Sequence, residues 1–273
     1  MTDAATDKPC LVITNADDFG LSERENAAIL AGFAEGVISS ATLMANMPAF
    51  EQACQAARQR GLADRLGLHF NLSYGEPLSW SVRGVSALCN VRGQFDFSLP
   101  RYSLYLSGQI SQAIRTELEA QWQACVEQGL RPTHIDSHQH VHNVLPIAAI
   151  VASFAAGHGV PVRLARNVGY NIHPGKAVFK YLLNRLIRRR SRTAIRYVCT
   201  PKDLLDGLRP QGVVEIICHP ELCADGQAGD AYLPAGKTLH QVLDVAYPYR
   251  QLVSYGSWIY RGGSLFQTVW RQI

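Results

Sequence analysis

No apolar run in this chain approaches the roughly 20 residues that a membrane-spanning helix needs. Its seven cysteines are odd in number, scattered, and form no CxxC pair. That argues for reduced, mostly buried thiols in the cytoplasm rather than a disulfide framework. The nearest pair, Cys218 and Cys223, has the wrong spacing for a zinc knuckle. Met1 to Lys8 is short and polar, unlike a secretory leader. The charge surplus is also small, at +4, and does not call for nucleic acid as a partner. There is no internal repeat and no low-complexity segment.

The chain has 273 residues, 47% of them hydrophobic and 18% charged. It has room for one large α/β domain with a substantial core, spanning 1–273. Apolar runs at 10–14, 40–44, 66–72, 133–136, 160–164, 196–199, 213–218 and 252–254 read as strands. Helical spacing predicts helices over 22–36, 48–60, 110–128, 145–157, 177–190 and 239–246. Strands alternating with helices imply a parallel sheet. Seven or eight such units suggest a β/α (TIM-like) barrel, closed or incomplete. Periodicity fails over 73–108, where Gly, Pro, Ser and aromatic residues crowd together. That stretch reads as a substrate-binding insertion or a lid.

The unusual polar residues gather at predicted strand ends, where β/α barrels build their sites. Asp17 and Asp18 follow the first strand, His69 lies near the end of the third, His138 follows the fourth, and His219 ends the seventh. A carboxylate and two imidazoles, here Asp18, His69 and His138, are a common ligand set for one catalytic divalent ion. Asp17 beside them is placed to act as general base, and His219 as general acid. Asp136 and Glu215, acids in or beside apolar strands, are candidate acceptors for histidine N–H groups. His140 and His142 are candidates to line the cleft. Arg163 and Arg166 are candidates to hold a carboxylate or orient an acid. Aspartate and imidazole ligands do not choose between Mg2+, Zn2+ and other divalent ions. The helix over 176–190 is basic and reads as a solvated face, or as a contact for an anionic membrane or glycan.

Five motifs together resemble the YdjC-type carbohydrate deacetylases, which include the chitooligosaccharide deacetylases and the hopanoid-associated deacetylase-like proteins. They are Asn15-Ala16-Asp17-Asp18-Phe19-Gly20, Ser40-Ala41-Thr42-Leu43-Met44, Gly67-Leu68-His69, the run from Arg131 to His142, and Cys218-His219-Pro220. The resemblance implies a β/α barrel that removes acetyl groups from N-acetylated sugars with a bound metal. It puts the metal on Asp18, His69 and His138, the base on Asp17 and the acid on His219. It also matches Arg163 and Arg166, and implies a homodimer as a common state. The match thins over 75–107, over 167–193 and after Glu221, so a chitin-fragment substrate does not carry over. Rival readings are a metal-dependent hydrolase of another amide or ester, a non-catalytic glycan-binding protein, and a membrane-surface scaffold.

Overall fold

The computed structural model describes residues 10–191 and 193–259. The polar stretch 1–8 lies outside the described residues. Strand β1 (Leu11–Phe19) is buried from Val12 onward. Such a continuous apolar run is what a parallel strand covered on both faces requires. Helix α1 (Glu23–Ala34) starts at Ser22, whose side chain accepts from the Arg24 N–H. Strand β2 (Ser40–Leu43), helix α2 (Phe50–Gln59) and strand β3 (Leu66–Phe70) follow. Then come α3 (Gly108–Glu127), β4 (Ile135–Ser137), α4 (Leu145–His158) and α5 (Pro174–Ser191). The rest is β5 (Tyr197–Cys199), α6 (Pro201–Leu205), β6 (Val213–Cys218), β7 (Pro220–Leu222), β8 (Ala228–Asp230), α7 (Leu239–Ala246), β9 (Gln251–Leu252) and α8 (Tyr255–Ile259).

Six parallel strands run in the order β4-β3-β2-β1-β6-β5 and form a curled half-barrel. Two-residue β9 adds to the start of β1. β7 and β8 form a separate antiparallel pair, which the sequence reading left out. Because the six are parallel, their C-terminal ends share one rim.

The expected strand at 160–164 is reduced to a single bridge, Ile135 to Val162. The reason lies in its amides. Val162 N–H goes to Ser191 Oγ (3.2 Å) and Ala165 N–H to Asn184 Oδ1 (2.8 Å), both on α5. Side chains take bonds that a neighbouring strand would otherwise make. Even so, the segment touches both edges of the sheet. Arg163 N–H donates to Ile135 O on β4, and Asn167 N–H to Val198 O on β5.

The stretch 73–108 has little regular structure but is packed, with Val82, Leu88 and Phe95 buried. Glu117 on α3 anchors it, accepting from the Leu78 and Ser79 amides at 2.9 Å each. On α5 the apolar residues divide between two faces. Leu183 and Ile187 are buried, whereas Val178 and Leu182 face solvent. All seven cysteines are free, six of them buried.

Candidate metal centre

The rim above β1 gathers the predicted ligands. Asp18 Oδ1 lies 2.8 Å from His138 Nδ1 and 3.1 Å from His69 Nε2. The ligand atoms of Asp18, His69 and His138 all fall within 4.8 Å of one another. Behind them, Asp136 Oδ1 sits 2.7 Å from His69 Nδ1. A carboxylate there fixes the ring and leaves Nε2 directed at Asp18. Thr42 Oγ1 donates to the other Asp136 oxygen at 3.1 Å.

Asp17 is held differently. Arg163 grips it with both ends of its fork, Nη1 to Oδ2 and Nη2 to Oδ1, each 2.7 Å. The same guanidinium lies 2.6 Å from Asp136 Oδ2 and donates Nε to Glu215 Oε1 at 2.6 Å. Arg163 is fully buried, so it orients acids inside the protein rather than in a ligand. Glu215 was expected to serve a histidine. Its oxygens go instead to Arg163 and to the Tyr255 hydroxyl (2.7 Å), because β6 turns it inward beside Arg163.

Charge decides the protonation states. Burial pushes the Asp17 carboxyl up, but the Arg163 guanidinium and then His69 outweigh it and hold it well below the usual range. Burial likewise opposes ionisation of Asp18, and hydrogen bonds from His138 and His69 win. Burial would lower His69, yet the charges of Asp136 and Asp17 push it up to about 10.

Three non-glycine residues among those described have positive φ: Asp18 (69°), Gln139 (49°) and His140 (54°). Asp18 lies at the end of β1 and the other two in the turn after β4, beside the candidate ligands. Left-handed backbone costs a side-chain-bearing residue about 1 kcal/mol or more, and such strain clusters at functional sites. At Asp18 it coincides with a break in the β1–β2 register between Ala16 and Phe19. The turn aims Asp18 at the histidines while Asp17 points to Arg163.

The other candidates are spread around this core. His219 follows β6, which pairs directly with β1, so it arrives from the side opposite His69 and His138. Its ring stands edge-on to Tyr232 at 5.2 Å, and its buried Nδ1 has no hydrogen-bond partner. Its amide donates to Asp230, whose carboxyl burial raises to about 6. His140 is half-buried beside the cluster. His142 does not line the cleft: it is fully buried, and its Nδ1 meets Ser137 Oγ, because the turn after β4 folds it under the loop. Arg166 is absent from the cluster too. It binds Asp203, the residue that closes the capping box of α6.

Asn15 and His134, neither of them a candidate by sequence, extend the buried network. Asn15 Nδ2 donates to Asp17 Oδ1 (3.1 Å), and His134 Nε2 lies 3.1 Å from Asn15 Oδ1. Both stand inside motifs already noted, and burial of a polar residue next to an apolar strand was the available signal. Tyr255, stacked on His134 at 3.7 Å, comes from a segment with no motif.

A family model described as YdjC-like protein matches residues 11–247. The chain belongs to the YdjC-like family. Its relatives include a carbohydrate deacetylase of Geobacillus stearothermophilus, 36% identical over 78% of this chain and 80% of the relative. A carbohydrate deacetylase of Clostridium beijerinckii is 35% identical, over 58% of this chain and 61% of the relative. A chitooligosaccharide deacetylase of Serratia marcescens is 40% identical, over 57% and 60%. A crystal structure from Enterococcus faecalis, of a candidate cellobiose-phosphate cleavage protein, shares the YdjC-like chain's fold. Its TM-score is 0.67 at 20% identity, covering 92% of this chain and 99% of that one.

Proposed function

We propose that this YdjC-like chain is a metal-dependent hydrolase that removes the acetyl group of an N-acetylated sugar. The observation that carries this reading is the ligand set Asp18, His69 and His138, within 4.8 Å of one another, on the same strand end as Arg163-bound Asp17. One carboxylate and two imidazoles suit a divalent ion, with Mg2+ and Zn2+ the leading choices. When bound, such an ion supplies polarisation of the acetamide carbonyl and acidifies an adjacent water.

The chain's own residues supply the rest. Asp17 stays ionised and oriented by Arg163, and takes the proton of the attacking water. His219, on the far side of β1, gives a proton to the departing sugar nitrogen. The new bond joins water oxygen to the acetyl carbon, the C–N bond breaks, and acetate and a free amine leave. Asp136 keeps the His69 ring in register. The names of the relatives support acetylated carbohydrate as the substrate class.

We read 1–273 as one β/α domain, with 160–168 as a further stave of a distorted barrel. We assign 73–108 to substrate recognition, and the free thiols favour the cytoplasm. The test is acetate release from N-acetylated glycans by chelator-stripped and metal-reloaded protein. Restoration by one ion is expected. A protein that takes up no ion would overturn the assignment.

A further inference from the structure

The net charge of +4 hides a strong asymmetry. Residues 137–202 contain no aspartate or glutamate, yet hold eleven of the 26 lysines and arginines. The remainder carries 15 basic against 22 acidic residues, a balance of −7. Helix α5 is the centre of the positive half, with no acid in its 18 residues.

Its outer face is not purely charged. Val178, Tyr181, Leu182, Arg185 and Arg189 fall at helical spacing on one side, and all are exposed. Alongside runs a second apolar group from a distant part of the chain, Tyr102, Leu104 and Tyr105. Tyr102 packs edge-on against Phe179 of α5 at 5.3 Å, and Leu104 and Tyr105 line a groove with Arg190. These six large apolar side chains of the two groups are 54% to 80% exposed. No acid occurs between Asp96 and Glu117, so this second group is also free of negative charge.

We propose that α5 and residues 102–105 form a face that docks on an anionic lipid surface. Aromatic and aliphatic side chains flanked by arginines suit the headgroup boundary, where rings enter and guanidiniums meet phosphate. Among the described residues no helix is long and apolar enough to cross a membrane, so α5 lies on the surface rather than spanning it. Arg101, the residue before Tyr102, donates to the carbonyls of Gln139 and His140. Docking therefore sets the loop after His138 close to the headgroups.

The experiment is vesicle flotation with full-length protein, using phosphatidylcholine vesicles with and without phosphatidylglycerol. Binding is expected only with the anionic lipid, and it should weaken with added salt. Arg185→Gln/Arg189→Gln should bind about thirtyfold more weakly, at about fivefold per arginine. Tyr181→Ser/Leu182→Ser should also lose affinity. Both variants alter exposed side chains, so unchanged circular dichroism melting would show that they fold. Three results would overturn the proposal: no flotation of the parent protein with anionic vesicles, binding unchanged in both variants, or loss of a dimer in the variants without vesicle binding. The last would make this face a contact between two copies.

Discussion

Arg163 and Asp17 are 146 residues apart in sequence and meet through two parallel hydrogen bonds of 2.7 Å, both partners being buried. Arg163→Ala would leave Asp17, Asp136 and Glu215 without their shared cation. Removing one partner of a buried pair costs about 3–5 kcal/mol. Denaturant unfolding should show a loss at the upper end of that range, and Arg163→Lys, which cannot make the fork, should recover only part of it.

Asp17→Asn keeps the shape but removes the proposed base. Turnover should fall by about 10²–10⁴-fold while metal content stays near that of the parent. Acetate release and elemental analysis on the same preparation check both halves. Near-native turnover would mean that another group takes the proton.

Asp136→Asn should act through His69. Losing the carboxylate that holds Nδ1 weakens metal binding by about 10–100-fold. His138→Ala removes a proposed ligand outright and should cost more. Competition against a chelating dye separates the two.

The His69 shift predicts a pH dependence in metal-free protein. Its folded value, about 10, lies above the ordinary 6.5. The resulting stability is fully present below pH 6.5 and is lost as pH rises through about 10. Metal must displace that proton, so affinity should rise with pH over the same window. Thermal melts across pH 6–10, and calorimetry in buffers of different ionisation enthalpy, test this. A flat melting profile in metal-free protein would count against a protonated His69.

Gly67 sits under this site for a steric reason. A Cβ there would come within 2.5 Å of the His134 ring. Gly67→Ala should therefore push His134 off Asn15 and destabilise the fold by about 1–3 kcal/mol. A melting curve checks it.

The grouping of Asp18, His69 and His138 was legible because each lies in a local motif at a strand end: Asp18 at the end of β1, His69 in β3, His138 after β4. What holds them was less so. Asp136 could be nominated from its place beside an apolar strand, but the three acids of Arg163 come from β1, β4 and β6, and no local pattern encodes that meeting. Glu215 was assigned to a histidine for the same reason. His142 looked like His138 in sequence, and only the left-handed turn at Gln139 and His140 sends it beneath the loop. The helices and most strands followed from periodicity. The 160–164 strand failed because the Val162 amide finds Ser191 and the Ala165 amide just beyond it finds Asn184, a long-range choice.

The grip of Arg163 on three acids has an electroneutrality consequence. With Asp18, the buried centre holds four carboxyl groups facing one permanent cation. Burial raises the Glu215 carboxyl despite Arg163. Carboxyl groups therefore outnumber the permanent positive charge, an excess that a bound cation would offset. Without such a cation, a proton held on His69 offsets part of it. The centre is thus biased toward cations as a class, and an anion would be repelled from it.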